Sequence, residues 1–83
     1  MNLEILEKIG FGERESKVYL ALIKLGTAIP GDIQKESKVP GSKIGETLNK
    51  LQEKGLVEVL TINNKKHYKA KDPKLILERY EKD

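Results

Sequence analysis

The sequence contains no cysteine and no tryptophan, and has one histidine, one methionine and one phenylalanine among its 83 residues. The absence of cysteine excludes disulfide staples, thiolate metal sites and cysteine nucleophiles. The one histidine, His67, lies in a lysine-rich stretch, which suits a surface or phosphate-contacting role better than a general base. Gly10 and Gly12 lack the Lys-Ser/Thr partner of a phosphate-binding loop. Asp32 and Glu36, at i and i+4, read as a solvated helix face. No apolar run approaches the roughly 20 residues needed to cross a bilayer, and no signal-peptide pattern is present. The expectation is a soluble, cytoplasmic protein that is not an enzyme, has no metal, cofactor or membrane partner, and shows no evident small-molecule effector.

What is present is charge, unevenly placed. Residues 27–71 carry nine lysines against five acids, whereas the segments on either side are balanced or slightly acidic. A basic region of this kind is the electrostatic footprint of a polyanion binder. One domain spanning residues 1–83 is expected. A chain this short buries only about 60% of its unfolded surface, so a second copy would add useful contact.

The organising stretch is 30–54. Pro30 suits the first turn of one helix and Pro40 that of a second, where a missing N–H costs nothing. The residues before Pro40 are pushed into an extended or turned conformation. Gly55 is placed to end the second helix. Two helices joined by so short a turn form a helix-turn-helix. In the second helix Ile44, Leu48 and Leu51 make one apolar stripe. A step of about 100° per residue turns Ser42, Glu46, Asn49 and Lys50 to the opposite side, flanked by Lys43 and Gly45. A recognition helix in a DNA major groove has this division.

Around this core, residues 2–9 read as a short amphipathic helix interrupted by Gly10-Phe11-Gly12. Glu13 to Leu25 reads as a helix with Val18, Leu22 and Leu25 buried and Tyr19 and Ile23 widening the stripe. Gly26 ends it, and Thr27-Ala28-Ile29 is an extended link. Leu56 to Ile62 is rich in β-branched residues and reads as a strand. Asn63-Asn64 suits a two-residue hairpin turn, and Lys65 to Ala70 returns. This basic hairpin at 56–70 is the expected wing, with Lys65, Lys66 and His67 toward a phosphate backbone or minor groove. Asp72-Pro73 starts a C-terminal helix over 73–83. The fold expected is α+β and mostly helical: a winged helix-turn-helix with a two-stranded β-wing and a C-terminal helix. Ile5, Leu6 and Ile9 at one end, and Ile76, Leu77 and Tyr80 at the other, are candidates for homodimerisation.

Several segments together resemble the DNA-binding domain of the TrmB family of winged-helix transcription regulators. They are Glu13 to Leu22, Leu25-Gly26, Asp32-Ile33, Ser37, Val39-Pro40, Ser42-Lys43-Ile44, Leu48, Leu51 and Glu53 to Glu58. The likeness runs over about residues 9 to 74. It implies a double-stranded-DNA-binding regulator, often dimeric, with the helix after Pro40 in the major groove. Two positions depart from the family pattern, Gly41 where Arg is usual and Gly45 where an aromatic is usual, and both are expected DNA contacts. The sugar-binding domain of many members has no counterpart in these residues. A winged helix used for protein contact remains the alternative, because Glu46 and Glu53 on the outward face would repel phosphates.

Overall fold

The computed structural model describes residues 3–8, 10–72 and 74, and α1–α4 and β1–β3 succeed one another along them. α1 (Leu3–Lys8) ends at Gly10, whose φ of 99° only glycine adopts readily. The Gly10 N–H bonds to the Glu7 carbonyl and the Phe11 N–H to that of Leu6. This is the paired bonding of a Schellman cap, and it lays Phe11 against Leu6. α2 (Glu13–Leu25) buries Ser16, Val18, Tyr19, Ala21 and Leu22. α3 (Pro30–Ser37) begins at its proline and ends at Lys38, which is left-handed at φ 62°. α4 (Gly41–Glu53) buries Ile44, Thr47, Leu48 and Leu51. Gly55, at φ 75°, closes α4 with a second Schellman pair, Gly55 to Gln52 and Leu56 to Leu51. Leu51 and Leu56 therefore enter the core together.

β2 (Val57–Ile62) and β3 (Lys65–Ala70) pair antiparallel across Asn63 and Asn64, at φ 52° and 64°. Two consecutive positive φ angles give the turn whose twist matches the strands. The core collects Leu6, Phe11, Val18, Tyr19, Leu22, Ile33, Val39, Ile44, Leu48, Leu51, Leu56 and Val57. Phe11 meets Tyr19 edge to face at 5.6 Å. Truncating Leu48 or Leu51 to Ala would cost about 2–5 kcal/mol through lost burial and the cavity left behind.

Five sequence expectations change. The link at 27–29 supplies a strand, β1 (Thr27–Ala28), which pairs with β3 and makes the sheet three-stranded in the order β1-β3-β2. Pro40 is the residue before α4 rather than its first helical residue, because its ψ of 140° is extended. Ile23 and Leu25 are exposed at 42% and 37%, because the core packs on the face of α2 that carries Val18, Tyr19 and Leu22. Leu6, a candidate for dimer contact, is wholly buried in the domain's own core. The wing hairpin thus supplies two strands of a three-stranded sheet, with β3 in the middle, and the dimer set loses a member. The C-terminal helix expected over 73–83 lies outside the described residues except for Lys74, whose N–H donates to Asp72 Oδ1 at 2.9 Å. Ile9, Ile76, Leu77 and Tyr80, and the side chain of Ile5, lie outside the described residues.

Candidate nucleic-acid interface

The interface is built on α4 because the apolar stripe fixes its rotation. With Ile44, Thr47, Leu48 and Leu51 inward, Gly41, Ser42, Gly45, Glu46, Asn49 and Lys50 are exposed and Lys43 is half-buried. The Thr47 hydroxyl donates to the Lys43 carbonyl at 2.7 Å, which satisfies it on the buried side. Glu46 sits between two lysines, 3.6 Å from Lys50 Nζ and 3.9 Å from Lys43 Nζ. These pairs are exposed and are worth well under about 1 kcal/mol each. Their effect is on charge: with Glu53 also exposed, Lys43 and Lys50 are balanced by Glu46 and Glu53, and α4 itself carries no net positive charge. Arg14, from the first turn of α2, lines a shallow cleft with Glu46, Thr47 and Lys50. Sequence reading missed Arg14, since only the packing of α2 on α4 brings it there.

Both glycines of α4 are helical rather than left-handed. A methyl group at position 45 would meet nothing within 4 Å. At position 41 it would come 3.0 Å from Gln34 Oε1 and 3.2 Å from Gln34 Cδ and Nε2. Gly45 is therefore open space and Gly41 is occupied space.

The wing leaves α4 directly through the Gly55 turn. Pairing runs Thr61 to Lys66, Ile62 to Lys65 and Leu60 to His67. Because successive strand residues alternate in face, Lys66 shares a face with Tyr68 and Ala70, which pack on the core. Lys65, His67 and Lys69 share the outer face with Glu58, Leu60 and Ile62. Lys65 and Lys66 are exposed and form no ion pair with a described residue. His67 Nδ1 donates to the Lys65 carbonyl at 3.1 Å when it carries the ring proton. Lys54, at the end of α4, is engaged at 2.6 Å by Glu15 and lies 5.7 Å above the Phe11 ring. No cluster of metal-ligating side chains occurs among the described residues. None of the described helices is long and apolar enough to cross a membrane.

The family model described as "Sugar-specific transcriptional regulator TrmB" matches residues 6–74. The chain belongs to the TrmB family. That family is one of regulators rather than enzymes. Among TrmB-related proteins, the chain is 35% identical over 98% of its length to the sugar-sensing transcriptional regulator TrmBL1 of Pyrococcus furiosus. It is 38% identical over 93% of its length to the uncharacterised protein YrhO of Bacillus subtilis. It covers 24% and 28% of those two proteins, so it spans about a quarter of the relatives it matches. Among solved structures, the archaeal chromatin protein TrmBL2, whose structure shows a novel mode of DNA binding, superposes with a TM-score of 0.84. That match has 25% identity over 96% of this chain and 32% of TrmBL2. MarR of E. coli shares the fold alone, with a TM-score of 0.75 and 22% identity over 95% of this chain and 62% of MarR. These likenesses bear out the TrmB-type winged-helix reading of the sequence.

Proposed function

We propose that these residues form the double-stranded-DNA-binding part of a cytoplasmic transcription regulator. α4 enters the major groove, and the tip of the β2–β3 wing meets the backbone or the adjacent minor groove. Ser42, Lys43, Gly45, Glu46, Asn49 and Lys50 are the groove-side set. Lys65, Lys66 and His67 are the wing set. The observation that carries this reading is the exposed lysine pair, without an ion pair to any described residue, at the tip of a wing that leaves a recognition-type helix within a TrmB-family fold. Phosphate contacts supply most of the affinity, and base edges supply the sequence preference. Glu46, braced by Lys43 and Lys50, can accept a hydrogen bond from a cytosine N4.

If one domain neutralises roughly four phosphates, log K for duplex DNA falls against log[salt] with a slope near −3.6, and near −7 for a dimer. Binding that ignores salt between about 50 and 200 mM would remove this reading. A second reading, a winged helix used for protein contact, is favoured by Leu60 and Ile62, exposed at 37% and 43% on the outer face of the wing. Salt-insensitive association would promote it.

Homodimerisation belongs to the same proposal. It is supported by the apolar residues Ile5, Ile9, Ile76, Leu77 and Tyr80 in the terminal segments, Leu6 being committed to the core. Two-fold pairing would set two copies of α4 about 34 Å apart on a palindrome. Sedimentation at high micromolar concentration, with and without duplex, decides it, and a monomer under both conditions rejects it.

A further inference from the structure

Gln34 is exposed on α3, yet its carboxamide does not extend freely into solvent. Oε1 lies 3.0 Å, and Cδ and Nε2 lie 3.2 Å, from where a Cβ of residue 41 would stand. Position 41 is the first residue of α4. The left-handed turn at Lys38 folds α3 back so that the middle of one helix lies beside the start of the next. The carboxamide thus occupies the place of a side chain that α4 itself does not have. It makes no hydrogen bond or ion pair with any described residue, so both N–H donors and the carbonyl acceptor remain available.

We infer that Gln34 is a specificity-determining residue of this chain, reading an adenine edge from the N-terminal end of α4, with Gly41 as its seat. This inference rests on α4 being the groove helix proposed above. The first residues of a recognition helix are the ones that reach base edges. A carboxamide suits adenine, because it can donate to N7 while accepting from N6. Glycine at 41 leaves that carboxamide undisturbed, whereas an added Cβ would come within 3.0 Å of Oε1 and force it to shift. An alanine there is tolerated by the fold, since the atoms it meets are the far end of a flexible side chain and its own backbone is helical.

The test selects duplexes from a randomised pool with the 83-residue chain and then repeats the selection with variants. Gln34→Ala should relax one base position, lowering discrimination there about tenfold and leaving the salt slope unchanged. Gly41→Ala should relax the same position. The double variant should be no worse than either single one, since both remove one contact. Gln34→Glu should move the preference at that position toward cytosine, whose N4 donates to a carboxylate. Uniform weakening across all sequences would show a phosphate contact and overturn base reading, and so would unaltered preferences in Gln34→Ala. A wild-type chain that binds DNA but loses nothing on these changes defeats this inference alone. One that selects no sequence defeats the groove assignment of α4, and the inference with it.

Discussion

The Tyr19 hydroxyl donates a 2.6 Å hydrogen bond to the Lys71 carbonyl, fastening the middle of α2 to the residue that follows β3. Burial raises this phenol from 10.0 to about 12, and the negative charge of Asp72 adds to the rise. The folded state therefore keeps a proton that the unfolded chain releases near its ordinary value. Stability from this group is fully present below about pH 10 and is lost as pH climbs toward 12. Tyr19→Phe should cost about 1 kcal/mol at neutral pH and should flatten the alkaline decline. Urea melts of both proteins at pH 7 and at pH 11 check this. Parallel losses in the two would contradict it.

Lys65 and Lys66 are neighbours in sequence but occupy opposite faces of the hairpin, opposite Ile62 and Thr61 respectively. A wing that meets the backbone edge-on can use both. Lys65→Ala and Lys66→Ala should each flatten the salt slope by about 0.9, and the double variant by about 2. If only one of them changes the slope, the wing rests on DNA by a single face.

Gly45 is helical and faces open space, so Gly45→Ala should raise stability by about 0.5–1 kcal/mol. The melting temperature then rises by several degrees. We propose that the missing side chain permits close approach to the DNA, so specific binding should weaken several-fold despite the gain. Unaltered affinity would mean that nothing approaches closely there and that the wing dominates the contact.

Ser16 is fully buried, and its hydroxyl has no hydrogen-bond partner among the described residues. Removing a buried unsatisfied group while raising helix propensity should help, so Ser16→Ala is expected to be neutral or stabilising by up to about 1 kcal/mol. A clear loss in thermal melts would reveal a hidden partner for the hydroxyl.

The parts of this molecule that were legible in the sequence are those written in local code. Ile44, Leu48 and Leu51 set the rotation of α4, Gly55 its end, and Asn63-Asn64 the hairpin. Each acts through its own backbone or its own helical period. β1 was not legible, because two residues carry no period, and only pairing with Tyr68 and Lys69 makes them a strand. Leu25 fits the buried stripe of α2 by spacing, but it stands where the helix outruns its neighbours. Among the candidate site residues, the outward set on α4 was predictable from the inward one. The Gln34–Gly41 pairing and the place of Arg14 were not, since each depends on how two helices cross.

β1 reaches only as far as Thr27 and Ala28, opposite Lys69 and Tyr68, which divides the hairpin into two mechanical regimes. Its base is held on both edges of β3 and on the core side by Val57, Tyr68 and Ala70. From Leu60 to His67 it is a bare two-stranded ribbon. Amide hydrogens at Glu58 and Lys69, a hydrogen-bonded pair at the base, should exchange slowly and those at Ile62 and Lys65, the equivalent pair at the tip, quickly, with the step falling between them. The tip can then reshape itself along a groove while the core stays unaware of it, and only strain reaching Tyr68 would be transmitted inward.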